Sequence, residues 1–106
     1  MPGFIIVITS MDKSSEAEKI AKAMVAKHLA GCAKVIGPAK SFYTWKGNPC
    51  VSREWICIIK AKKENYAKIE LEIKKMHKYE LPEIISLEIG KASREYLKWL
   101  GNTADI

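Results

Sequence analysis

The sequence is poor in the residues from which dedicated sites are most often built. It holds two histidines and three cysteines in 106 residues. Cys32, Cys50 and Cys57 show no CxxC spacing, and their number is odd. That excludes a zinc ribbon and a closed disulfide framework, and free thiols suit a reducing compartment. Glycine and proline are sparse, at six and four residues, so long disordered or low-complexity segments are not expected. No apolar run approaches the ~20 residues of a membrane span. No basic segment precedes the first apolar run, which argues against a secretory signal. The expectation is a cytoplasmic protein with no membrane partner.

What is present is an ordinary globular composition, 48% hydrophobic and 28% charged. A chain of this length is expected to form one domain over 1–106 with a single modest core. The net charge is +6 and the pI about 9.3. Lysines gather in KAKK (60–63) and KKMHK (74–78). Such a surplus favours anionic partners through long-range attraction. Twelve acidic residues are interspersed, however, and most of the lysines read as the solvated faces of helices.

FIIVITS (4–10) is a continuous β-branched run, read as a strand covered on both faces. Ser15 and Glu18 have capping-box spacing. Behind them an apolar stripe (Ala17, Ile20, Ala21, Met24, Val25, His28, Leu29) predicts a helix ending near Gly31. Residues 33–45 read as extended, with a bulge or bend at Gly37-Pro38. KGNP (46–49) predicts a hairpin turn. VSREWICIIKAK (51–62) returns as a long strand, with Trp55, Cys57 and Ile59 on one side and Ile56 and Ile58 on the other. A helix over 64–77 follows, its inner face Tyr66, Ile69, Ile73 and Met76. PEIISLEI is the fourth strand. SREYLKWL forms a last helix capped by Ser93 and stopped at Gly101.

The order β-α-β-β-α-β plus a terminal helix is an α+β, ferredoxin-like arrangement with an antiparallel sheet and both main helices on one face. Its other face carries Trp, Ile, Phe and Tyr and should not stand in water. Self-association is the expectation, with the aromatics of SFYTW at the interface.

Five short motifs then occur in register: LAGCAKV (29–35), SFYTWKG (41–47), IIKAK (58–62), HKYELPEI (77–84) and YLKWL (96–100). Together they resemble the CutA family of divalent-cation-tolerance proteins over nearly the whole chain. The resemblance implies a ferredoxin-like protomer in a homotrimer, PII-like in architecture, with clefts between subunits. It also implies a link to copper and other divalent cations, and no firmly attached enzymatic activity. Two positions depart from the family pattern. Lys78 stands where a proline is frequent, and Ile8 where some bacterial relatives carry a cysteine, so no copper site using that thiolate exists here.

Candidate site residues cluster at HKYELPEI. A helix continued to Glu80 would place His77 and Glu80 three apart on one face, a half-site for copper or zinc. Cys32 is the candidate thiolate to complete it; no obligatory cofactor is implied. The plainer role is helix termination, with His77 favoured by the dipole and Glu80 paired to a lysine. Tyr43 and Trp45, on alternate residues, share a face and read as interface packing or a stacking platform. With Lys60 and Tyr79 they make up a candidate ligand cleft, for a small molecule or anion. An RNA-binding module is the main rival, since the fold class hosts such domains. It requires a Lys/Arg-Gly-aromatic pattern on the third strand, which EWICIIKAK lacks, so nucleic acid is not the expected partner. An acylphosphatase-like enzyme needs a phosphate-cradling loop after the first strand, and MDKSSEAEK has neither glycine nor arginine.

Overall fold

The computed structural model describes residues 3–103. The elements are β1 (Phe4–Met11), α1 (Ser14–Ala26), β2 (Cys32–Trp45), β3 (Asn48–Lys62), α2 (Tyr66–Met76), β4 (Ile85–Glu88) and α3 (Arg94–Thr103). A 3-10 turn at Lys63–Asn65 leads into α2. The strands form one sheet in the order β2-β3-β1-β4 with antiparallel neighbours. This is the ferredoxin-like order that the sequence pattern implies.

Side-chain alternation divides the sheet into two faces. Register pairs Ile5 with Ala61, Val7 with Ile59 and Thr9 with Cys57. That face meets Ile20 and Met24 of α1 and Ile69 and Ile73 of α2, all fully buried. At about 25 cal/mol per Å² of apolar surface, this layer is the main source of stability. The inner face expected for α2 is the observed one, with Tyr66 and Met76 packed at its margins.

The second face carries Phe4, Ile6, Ile8, Ile56, Ile58 and Lys60 by the same alternation. It is not wholly bare. Lys60 Nζ donates to the Tyr96 hydroxyl at 3.3 Å and lies 5.2 Å from that ring's centroid. A Cβ on Gly101 would lie 3.5 Å from the Phe4 ring, and Leu100 is fully buried. α3 therefore covers the end of this face where β1 begins. Ser93 caps it as expected, its Oγ accepting from the Tyr96 amide at 3.2 Å. The helix does not stop at Gly101 but runs to Thr103. Docking outweighs the ~1 kcal/mol that a glycine costs inside a helix.

Two boundaries differ from expectation in instructive ways. The Ser15–Glu18 capping box does not form: Lys13 is the N-cap, without a side-chain cap bond. Ser15 lies inside the first turn, and it is Ser14 that hydrogen-bonds Glu18, at 3.0 Å. α1 also ends at Ala26 rather than near Gly31, because His28 adopts φ 58°. The Leu29 amide donates to the Met24 carbonyl and the His28 amide to that of Val25, which is the Schellman termination. His28 is exposed and belongs to the helix end, not to the apolar stripe. A left-handed histidine costs more than a glycine there. His28→Gly should therefore raise stability by about 0.5–1 kcal/mol, read as a higher urea midpoint at unchanged slope.

Candidate functional site

The β2–β3 hairpin projects beyond the helices and gives the molecule its long dimension, 44 Å against 25 and 22 Å. Its two-residue turn has φ 50° at Lys46 and 80° at Gly47, the twist-compatible type with positive φ at both positions. At the expected place, Gly37-Pro38, the register slips between Ile36 and Ala39. The Gly37–Pro38 peptide is cis. Gly37 is required here, since a Cβ would sit 2.7 Å from Trp55 Cγ.

The slip has a consequence for the site. It restores Ser41, Tyr43 and Trp45 to the second face, on the side of the sheet that carries Glu54 and Ser10. Tyr43 and Trp45 thus share a face, as their spacing predicts. The Tyr43 hydroxyl shares a 2.6 Å hydrogen bond with Ser52 Oγ.

The opposite wall comes from the joint after α2. The helix ends at Met76, and His77 is extended, with φ −79° and ψ 138°. The condition for His77 and Glu80 to face the same way is not met. The Tyr79 amide donates to His77 Nδ1 at 3.1 Å, and His77 Nε2 lies 2.7 Å from the Ser10 carbonyl. An Nδ1 that accepts is unprotonated, so Nε2 carries the hydrogen and donates it to Ser10. Both nitrogens of a neutral imidazole are committed to backbone. The His77 and Tyr79 rings contact at 4.7 Å between centroids.

Held in this way, the Tyr79 hydroxyl donates to Glu54 Oε2 at 2.9 Å. Burial, acceptance by Glu54 and the negative charge of that carboxylate push the Tyr79 phenol well above its ordinary pKa. It stays protonated and donating throughout the physiological range. Ser10 Oγ donates to Glu83 Oε1 at 3.0 Å, tying the 79–85 segment to β1. This tie and the missing amide of Pro82 delay the fourth strand, which begins only at Ile85.

The result is an open groove of about 850 Å³ between the hairpin and residues 79–85. Tyr43 and Trp45 line one side, Tyr79, Glu80 and Glu83 the other, and Ser10 and Glu54 the floor. Among the described residues no lysine or arginine lines it. Glu54 is only 8% exposed. Its one hydrogen-bond partner among the described residues is Tyr79.

The structure brings Tyr43, Trp45, Tyr79 and Glu80 together, but not the other candidates. Lys60 packs on Tyr96 at the far end of the sheet. Cys32 pairs with Lys60, whereas Ser10, the neighbour of His77, pairs with Ile56. Four residues of strand separate these levels, about 13 Å at the usual rise. Among the described residues no three His, Cys, Asp or Glu side chains are grouped to hold a metal. Ser10, Glu54 and Glu83 were not legible as site residues. A signal for Glu54 exists, since it falls on the face that Ile56 and Ile58 continue, where a carboxylate breaks the apolar alternation.

All three cysteines are free. Cys57 is fully buried, and burial pushes its thiol up to about 11. Cys32 and Cys50 are half-buried. A thiol-specific reagent at pH 8 should label two sulfurs readily and the third only with denaturant. Peptide mapping should identify the slow one as Cys57.

Comparison with known proteins completes the picture of the fold and its lineage. The family model described as CutA1 divalent ion tolerance protein matches residues 5–103. The chain belongs to this family. A divalent-cation tolerance protein CutA of Archaeoglobus fulgidus is 37% identical over 90 residues, covering 85% of this chain and 87% of that one. A structure described as periplasmic divalent cation tolerance protein CutA from the same organism superposes with a TM-score of 0.91 at 33% identity, over 95% of this chain and 98% of the other. The CutA1 structure from Thermus thermophilus superposes equally well, with a TM-score of 0.91 at 31% identity over 94% and 97% of the two chains. No helix among the described residues is long and apolar enough to cross a membrane.

Proposed function

We propose that this CutA family member is a non-enzymatic homotrimer that binds divalent cations, copper among them, weakly in clefts between subunits. The observation that carries the reading is the sign of the groove. A chain of net charge +6 lines this groove with Glu54, Glu80 and Glu83 and, among the described residues, with no cationic side chain. The family's association with divalent-ion tolerance points the same way. Hard divalent cations take oxygen ligands, and Glu80 and Glu83 are exposed carboxylates on the groove wall. One protomer does not supply three grouped ligands, so the fit within a single chain is incomplete and a neighbour has to provide the rest. Within one chain both His77 ring nitrogens bond backbone groups and Cys32 lies about four strand residues, ~13 Å, from that level, so Glu80 and Glu83 are the exposed carboxylates this chain offers at the groove.

The trimer rests on exposed apolar surface. Phe42 is 72% exposed and Val51, its partner across the hairpin, 59%. Ile85 and Leu87 of β4 are also exposed, and β2 and β4 are edge strands whose outer backbone groups are unpaired in the sheet. The free thiols support a cytoplasmic location.

Equilibrium dialysis against copper and zinc tests the cation site. The wild-type protein should take up metal. Glu80→Gln and Glu83→Gln should each weaken uptake several-fold, since a charge-assisted contact contributes roughly 1.5–3 kcal/mol when buried and less when exposed. Uptake unchanged in both variants would remove the groove from metal binding.

A further inference from the structure

The two outer edges of the sheet differ in the sign of their charge. β2 and β4 stand at opposite ends of the order β2-β3-β1-β4, so each leaves one side of its backbone unpaired within the sheet. From Cys32 through the hairpin turn, the β2 edge carries Lys34, Lys40 and Lys46 and no acidic residue. Residues 80–88, which lead into and form β4, carry Glu80, Glu83 and Glu88 and no lysine or arginine. All six side chains are exposed.

Little within the chain offsets these charges. Glu88 pairs with Lys63 at 3.2 Å, and Glu83 accepts a hydrogen bond from Ser10. Among the described residues no ion pair joins Lys34, Lys40, Lys46, Glu80 or Glu83 to an opposite charge. An exposed charge alone needs no partner. Here the signs are segregated along two edges that also expose apolar side chains, Phe42 on one and Ile85 and Leu87 on the other. An edge of that composition is a template for a further strand, and charge decides which strand.

Two copies can join their edges in three ways. β2 against β2 sets lysines against lysines, and β4 against β4 sets glutamates against glutamates. Both are two-fold contacts in which a patch meets itself, and like charges brought together at an interface are strongly unfavourable. β2 against β4 sets lysines against glutamates. Beyond the slip at Gly37-Pro38, β2 pairs continuously from Ala39 to Trp45, long enough for the four residues of β4. This contact is head-to-tail, so each copy keeps one edge free and further copies add until a ring closes.

We infer that copies of this chain are joined head-to-tail, the lysine-bearing β2 edge of one against the glutamate-bearing β4 edge of the next. The charge difference selects a cyclic assembly over a two-fold dimer. This rests on the proposed homotrimer and names the contact that directs it.

The test follows mass by sedimentation over a dilution series, with sub-denaturing urea to bring dissociation into range. Lys34→Glu with Lys40→Glu reverses one edge, and Glu80→Lys with Glu88→Lys reverses the other. Each edge variant should dissociate at protein concentrations about tenfold or more above those of wild type, because its edges now repel. The chain with all four substitutions has opposite signs again and should return to within about threefold of wild type. Should a reversed edge prevent folding, Lys34→Gln with Lys40→Gln should still weaken assembly several-fold at low salt and less at high salt. Edge variants that assemble as wild type does, or a combined variant no better than the single-edge ones, overturn the inference. A wild-type trimer indifferent to every reversal leaves the proposed trimer standing and removes edge charge as its cause. A wild-type two-fold dimer, or a monomer at every concentration, overturns both.

Discussion

His77→Ala should destabilise the protein by about 2–4 kcal/mol, far more than a change at a solvent-facing ligand. The substitution removes the hydrogen bond to the Ser10 carbonyl and the acceptor of the Tyr79 amide. Ser10 is only 6% exposed, so its carbonyl is left without a partner, at ~1–3 kcal/mol for a buried unsatisfied group. The ring contact with Tyr79 goes too. Tyr79 then loses its placement, and with it the hydrogen bond that orients Glu54. The matched control is Glu80→Ala. That side chain is exposed and makes none of these bonds, so its effect on stability should stay within about 0.5 kcal/mol. Urea unfolding separates the two variants. A His77→Ala midpoint equal to that of Glu80→Ala would mean that the joint is not built as described.

Leu100→Ala should cost about 2–5 kcal/mol, the range for a leucine removed from a packed site. Among the described side chains of α3, Leu100 is the one that is fully buried, so it anchors the helix over the second face of the sheet. Loss of the anchor should also free Lys60 from Tyr96 and expose Phe4. Trp99→Ala, at a larger residue that is 46% exposed, should cost less than Leu100→Ala despite the greater volume removed. Hydrogen exchange should show α3 amides losing protection in Leu100→Ala while those of β1 and β3 keep it. A smaller loss for Leu100→Ala than for Trp99→Ala would place the anchor elsewhere on α3.

The fold was readable because its signals are local. The run FIIVITS, the 3–4 spacing of Ile69, Ile73 and Met76, and the alternation around Cys57 each declare an element within a dozen residues. The groove was only half readable for the opposite reason. Its floor and wall meet through Ser10 and Glu83, 73 residues apart, and through Tyr79 and Glu54, 25 apart. Even the face shown by Tyr43 and Trp45 depends on the slip at Gly37-Pro38, because one extra residue reverses every side chain beyond it. The sequence marked a bulge there but not its count. His77 shows the same limit at shorter range. Whether the helix ran one turn further decided whether His77 and Glu80 share a face, and Pro82 bounds that choice without settling it.

The central claim, a trimer with cation-binding clefts, is tested most directly by native mass spectrometry of the protein alone and after exposure to copper, zinc and nickel. The account predicts a species of about three times the 11.9 kDa chain that gains up to one divalent ion per chain. A monomer that gains none would contradict it.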